Sequence, residues 1–229
     1  MRQIPLAIGP QPVRGFDAIV AGHNGAALAH LRQLASGGLP FEGPSLPLPV
    51  YLWGPAGCGK TRLLQATVDV VGQRGLQVGW FDPEVPLPWP AQPHWSLLVL
   101  DACERYDSDR QQAAFALFIE SQALAVPMLA AGRCPPVDLP LRDDLRTRLG
   151  WGHVFALQVL DESEARAALR GEAERRGFDL GDEVLDFLLT RFSRDFAHLL
   201  GLLDKLDEFA LSRQRAITVP LLRRLFEEE

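Results

Sequence analysis

The chain has 229 residues, 47% of them hydrophobic, enough for a globular protein with one substantial core and a smaller satellite unit. Its formal net charge of −6 argues against a protein that grips a nucleic-acid duplex with its whole surface, leaving at most a local basic patch for that role. No run of about 18 or more apolar residues appears, and the N-terminus MRQIPLAIGP lacks a long apolar stretch and a cleavage pattern, so a soluble, cytoplasmic protein without a membrane partner is expected. Cys58, Cys103 and Cys134 have no metal-ligand spacing and are expected to be reduced thiols.

Residues 1–15, interrupted by Pro5, Gly9, Pro10, Pro12 and Gly15, read as a flexible arm. The folded part is expected to begin near Phe16, with a helix over 26–34 and a glycine- and proline-rich loop over 37–49. A short apolar strand follows, LPVYLW at 48–53, and then the run GPAGCGKT, Gly54 to Thr61. Beyond it Leu63, Leu64, Thr67, Val68 and Val71 recur at helical spacing until Gly72 and Gly75 end the pattern. QVGWF at 77–81 is a second strand. The tract holding Pro83, Pro86, Pro88, Pro90 and Pro93 is neither helix nor good strand, because each proline removes a backbone donor. The sequence leaves its role open, with a shortened surface excursion as the simplest reading.

SLLVL at 96–100 has the all-apolar character of a buried parallel strand, with Asp101 at its carboxyl end. A helix over 109–123, a strand over 126–131, a short helix over 143–149 and a strand over 154–158 complete an alternation that calls for a parallel sheet covered on both faces. From residue 159 the pattern becomes helical only, over about 161–176, 182–191, 195–212 and 218–226. The expected organisation is therefore an arm (1–15), a nucleotide-binding α/β domain (16–158) and an all-helical unit (159–229).

GPAGCGKT is a complete G-x-x-x-x-G-K-[ST] loop in its required setting, between an apolar strand and an amphipathic helix. Its glycines let backbone N–H groups turn inward around phosphate, and the helix N-terminus adds partial positive charge. Lys60 is expected to reach the β and γ oxygens, and Thr61 to offer a hydroxyl to Mg²⁺. The expected phosphate-binding set is Gly54, Pro55, Ala56, Gly57, Cys58, Gly59, Lys60, Thr61 and the next helical residue, Arg62. Asp101, on a rigid strand end, suits a carboxylate that holds Mg²⁺ through water. The next residue is Ala102, where an active hydrolase usually places a second acid. Glu104 reads as a solvated loop acid, so self-catalysed hydrolysis is expected to be slow. Arg148, in TRLGWG, ends a short helix just before the last strand. It either stabilises γ-phosphate charge on a neighbouring protomer or complements the helix dipole in solvent.

Taken together, these residues resemble the DnaA-type AAA+ ATPases essentially end to end, and within them the Hda family of DnaA regulatory inactivators. FDAIVAGHNGAAL, Phe16 to Leu28, resembles the segment with which DnaA-type modules begin and line the adenine pocket, which implies contacts from Ile19 and Val20. GPAGCGKT and LLVLDA are similar to Walker A and B motifs, and RTRLGWG leading into FALQVLDESE is similar to the Hda pattern S-R-L-x-W-G before the lid. The segments 178–189 and 202–206, with AITVPLLRRLF, resemble lid helices, and no DNA-binding helix-turn-helix is expected to follow them.

The resemblance implies a AAA+ P-loop fold, a parallel sheet sandwiched by helices with a small C-terminal helical lid, holding ADP or ATP with Mg²⁺. It also implies an activator with weak or absent ATPase of its own, which offers Arg148 in trans to ATP-bound DnaA and so inhibits replication initiation. Gln3, Ile4, Leu6 and Ile8 resemble the Q-L-x-L-x-[LF] peptide that docks on the replication sliding clamp, the β subunit of DNA polymerase III, so contact with DNA would be mainly through the clamp. Self-association stays open. Ala197 stands where DnaA-type proteins carry a nucleotide-sensing arginine, with Arg194 and His198 on other helix faces, and the strand ending at Ala131 lacks the usual polar sensor, with Arg133 nearby. These departures fit a nucleotide-holding regulator. The alternatives are a self-sufficient AAA+ ATPase and a helicase-loader-type replication adaptor.

Overall fold

The computed structural model describes residues 15–37 and 47–192, with single positions at 199, 201–203, 206 and 222. The proposed clamp peptide at Gln3, Ile4, Leu6 and Ile8, the positions Arg194, Ala197 and His198, and most of the expected helices over 195–212 and 218–226 lie outside the described residues. The described residues form two compact units, one of Ala21–Leu160 and one made of those before Ala21 and after Leu160.

The larger unit is built on five parallel strands, β1 (Val50–Trp53), β2 (Gln77–Phe81), β3 (Trp95–Leu100), β4 (Met128–Gly132) and β5 (His153–Ala156), in the order β2-β3-β4-β1-β5. Its helices are α1 (Gly25–Ala35), α2 (Lys60–Gln73), α3 (Ser108–Ala123) and α4 (Asp143–Leu149). The central strands have no polar alternation because both sheet faces are covered; every residue of β4 and the last four of β3 are buried. β1 lies between β4 and β5, with Leu52 opposite Ala131 on one side and Phe155 on the other. Parallel pairing puts the carboxyl ends of β1 and β3 on the same side of the sheet, where Gly54 and Asp101 begin their loops.

α1 and α2 pack on each other, with Leu28, Leu31, Leu64 and Val71 buried. A second cluster gathers Tyr51, Leu98, Leu100, Leu117, Phe118 and Met128. The Tyr51 hydroxyl, inside this cluster, donates to the carbonyl of Cys134 at 3.0 Å, which removes the cost of an unpaired buried polar group. All three cysteines are free thiols, with Cys58 and Cys103 buried.

The structure gives the proline tract, whose role the sequence left open, a packing task through Trp89. β2 and β3 are parallel neighbours, so residues 82–94 must cross over the sheet, a task usually given to a helix. Prolines forbid that helix, and aromatic burial replaces it. Trp89 is 6% exposed and lies 5.0 Å from the Phe81 ring and 5.3 Å from Tyr106. Its indole N–H donates to the Val85 carbonyl at 3.2 Å, and the Tyr106 hydroxyl donates to the Phe81 carbonyl at 3.1 Å. Asp82 starts the turn: its Oδ1 accepts from the N–H groups of Glu84 and Val85, and its Oδ2 accepts from the Trp80 indole at 3.0 Å.

In the smaller unit, α5 (Glu162–Arg175) opens with a capping box in which Asp161 accepts from the Glu164 N–H at 2.9 Å and Glu164 accepts from the Asp161 N–H at 2.9 Å. α6 (Asp182–Phe192) packs beside it, with Leu169, Ala173, Leu185 and Leu188 buried. Arg170 pairs with Asp182 at 2.6 Å, and Arg166 bonds Asp186. These exposed pairs set the match of the two helices more than their stability. Among the described residues no helix is long and apolar enough to cross a membrane.

Replacing Trp89 by Ala removes the keystone of the crossover and is expected to destabilise the protein by about 3–5 kcal/mol, read as a lower urea midpoint. A loss below about 0.5 kcal/mol would return the tract to the status of surface loop.

Candidate nucleotide-binding site

The loop after β1 is shaped by close approach. A Cβ on Gly54 would lie 2.4 Å from the Leu157 carbonyl oxygen and 2.9 Å from the Cys58 sulfur, so only glycine fits. Leu157 is itself fixed, because its N–H donates to the Trp53 carbonyl at 2.7 Å. At the other end of the loop Gly59 has φ 92° and caps α2, whose first turn carries Lys60 and Thr61. The first N–H groups of that helix have no intrahelical acceptors and face the loop with the positive end of its dipole.

Lys60 Nζ donates to the carbonyls of Gly54 and Pro55, both at 2.8 Å, and lies 3.6 Å from the Cys58 sulfur. The ammonium is thus held over the loop by the loop's own acceptors. The Thr61 hydroxyl donates to Asp101 Oδ2 at 2.7 Å, joining the first turn of α2 to the end of β3. Asp101 is 7% exposed, and its Oδ1 accepts from the Ala102 N–H at 2.8 Å. Burial pushes its carboxyl up from the ordinary carboxylate range, and the Glu104 charge adds to the rise. The bonds from Thr61 and Ala102 and the charge of Lys60 oppose it.

Thr61 and Asp101 supply hard oxygen donors, and among the described residues no group of three or more His, Cys, Asp or Glu could hold a metal by itself. That set fits Mg²⁺ held by one or two protein oxygens alongside phosphate, and it fits no all-protein metal cage.

Glu104 differs from the expected solvated acid. Ala102 adopts a left-handed conformation (φ 52°, ψ 44°), and the 3-10 turn Cys103–Arg105 that follows brings Glu104 back toward the sheet end. Its Oε2 is buried without a hydrogen-bond partner. The turn is fixed by Cys103, which is fully buried with its thiol 3.7 Å from the Leu100 carbonyl.

Arg148, on the last turn of α4, has no carboxylate partner among the described residues. Its guanidinium carbon lies 5.0 Å from the ring centroids of Phe115 and Trp151 and 5.6 Å from that of Phe118, and its Nε is buried without a hydrogen bond. The aromatic surround was absent from the sequence expectation, although Phe115 and Phe118 stand three residues apart on α3 and Trp151 stands three residues after Arg148.

Ile19 and Val20 fall in the smaller unit. Ile19 caps a 3-10 turn, its N–H donating to the Phe16 carbonyl at 3.0 Å, and Val20 is 36% exposed. Within the larger unit, the conspicuous residue of that opening segment is Asn24. Its side-chain amide donates to the Gln158 carbonyl at 2.9 Å and accepts from the Gln158 N–H at 2.8 Å, beside the Leu157 wall of the phosphate loop. Arg133 is exposed after β4, and Ala131 is fully buried within that strand.

Residues 161–226 match the family model of the Hda lid domain. Domain III of the Thermotoga maritima replication initiation protein DnaA superposes with a TM-score of 0.75 at 20% identity, over 93% of this chain and 95% of that one. The chain has the AAA+ fold, and its residues 161–226 are similar to the Hda lid domain. AMPPCP-bound DnaA from Aquifex aeolicus aligns with a TM-score of 0.65 at 20% identity, over 90% of this chain and 69% of its own. A point mutant of Thermotoga maritima RuvB, at 14% identity, aligns with a TM-score of 0.65 over 94% and 73% of the two chains and shares the AAA+ fold.

The raised Asp101 carboxyl has a consequence for stability. Its folded-state pKa lies above the unfolded value, so the ionised group costs stability at neutral pH, and the cost disappears as pH falls through the folded pKa. Asp101→Asn is expected to raise the thermal midpoint of the ligand-free protein at neutral pH, with the advantage shrinking in acid. Paired melts across pH read this directly, and a lower neutral-pH midpoint for the variant contradicts it.

Proposed function

We propose that the chain is an Hda-type, nucleotide-binding regulator of chromosome replication that stimulates hydrolysis of DnaA-bound ATP and so restrains initiation. The observation that carries this reading is the Hda lid match over residues 161–226 joined to a DnaA-like AAA+ core. ADP or ATP is the expected ligand. Gly54, Pro55, Ala56, Gly57, Cys58 and Gly59 would wrap the phosphates, Lys60 would exchange the Gly54 and Pro55 carbonyls for phosphate oxygens, and Arg62 would flank them. Ile19 and Val20 would line the base. Thr61 and Asp101 would hold Mg²⁺, which when bound offsets phosphate charge.

In this reading Arg148 is an arginine finger acting on the nucleotide of a DnaA protomer, a contribution of about 10³ to 10⁵ in rate. Its support is a guanidinium with no carboxylate among the described residues to neutralise it. Gln3, Ile4, Leu6 and Ile8 would dock on the sliding clamp, bringing the protein to DNA indirectly and raising its effective concentration near DnaA. Ala102 in the place of a second acid supports weak intrinsic turnover. The Thr61–Asp101 pair favours a second reading, a self-sufficient AAA+ ATPase. That reading requires steady-state hydrolysis by the isolated protein that collapses with Lys60→Ala.

Reconstitution separates the two. With ATP-bound DnaA on clamp-loaded DNA, the protein is expected to accelerate conversion to ADP, with Arg148→Ala abolishing the effect and Gln3→Ala combined with Leu6→Ala cutting it about tenfold or more. Stimulation that persists with Arg148→Ala, or that ignores the clamp, removes the corresponding part of the mechanism.

A further inference from the structure

We propose that Phe115, Phe118 and Trp151 form an aromatic cradle that positions the Arg148 guanidinium for a phosphate belonging to another protein, with Trp151 as its principal positioning residue. The inference rests on the finger reading of Arg148. Two rings come from successive turns of α3 and the third from just beyond α4, so the cradle exists only where these two helices pack. Phe118 is 2% exposed and anchors the arrangement in the core. Phe118 and Trp151 meet edge to face with centroids 6.2 Å apart, which fixes the angle between the rings. Trp151 itself is 56% exposed, so its ring is not consumed by core packing.

The chemistry of the cradle is selective in what it does to a cation. Ring faces attract a guanidinium through their quadrupole and hold it without neutralising it. A carboxylate would bind it more tightly but would cancel the charge and compete with an incoming phosphate. The acids of α4 are already engaged, Asp143 by Arg146 at 2.5 Å and Asp144 by Arg142 at 2.7 Å. Arg142 also lies 5.5 Å from the Phe115 ring, so a second cation borders the same ring. Arg148 is thereby held by ring faces, with no carboxylate partner among the described residues. Much of the rotamer freedom that a long arginine side chain loses on meeting a phosphate has already been given up before the encounter.

The test measures DnaA-bound ATP hydrolysis on clamp-loaded DNA against concentration of the full chain for Trp151→Leu, Trp151→Phe, Phe115→Leu and Arg148→Ala. Trp151→Leu keeps an apolar side chain and loses the ring; it is expected to lower the maximal stimulated rate about tenfold while the half-saturating concentration stays within about twofold. Trp151→Phe, which restores a ring face, is expected to recover most of that rate. An unchanged maximal rate in Trp151→Leu, with Arg148→Ala inactive, overturns the cradle and leaves the finger standing. Loss through a raised half-saturating concentration alone makes Trp151 a partner contact and also overturns it. Full activity of Arg148→Ala removes the finger and the cradle together. Should thermal melts show Trp151→Leu unfolded, Phe115→Leu carries the same rate criterion.

Discussion

The parallel pairing of β1 with β4 on one side and β5 on the other is the constraint from which the rest of the larger unit follows. Because β1 is an interior strand with both faces of the sheet covered, its residues Tyr51 and Leu52 are fully buried. Because its neighbours run parallel, every strand delivers its carboxyl end to one side. The phosphate loop therefore begins where Leu157 leaves the edge strand and where Asp101 leaves β3. The Leu157 carbonyl then abuts Gly54 so closely that no side chain can enter, and the loop inherits its shape from the sheet beside it.

The chemistry of the pocket follows from burial at that strand end. Asp101 sits in a place that disfavours its charge, and the Thr61 hydroxyl and the Ala102 N–H offset the cost by bonding the ionised form. The result joins α2 to β3 through one short contact, so the helix N-terminus and the carboxylate move as a unit. Glu104, carried on a turn that reverses at Ala102, brings a second acid near the same strand end with one oxygen unpaired.

Aromatic side chains solve two different problems in the larger unit. Around Trp89 they replace a crossover helix that five prolines forbid, covering the sheet by ring packing where backbone hydrogen bonds are unavailable. Around Arg148 they hold a cation without discharging it. The first is ordinary hydrophobic burial with an indole donor satisfied locally; the second uses the electrostatics of the ring face. Both depend on α3 and the strand ends being held in register by the sheet.

The order of strands and helices through residue 192, the glycine loop and the acid at the end of β3 were legible in the sequence, because each is written in local pattern: apolar runs, helical spacing, and a motif whose residues are consecutive. Strand limits moved by a residue or two, as at β1, where Pro49 precedes the first paired residue Val50. The burial of the Glu104 Oε2 atom was not legible, since a positive φ at Ala102 reverses the chain there and alanine carries no signal for it. Nor was the role of the proline tract, whose lack of periodicity concealed a buried Trp89. Local pattern thus determined which elements form and where phosphate chemistry is possible. Tertiary packing alone decided that Thr61 would meet Asp101 and that Phe115, Phe118 and Trp151 would surround Arg148, because those contacts join residues whose adjacency arises only when the helices close over the sheet.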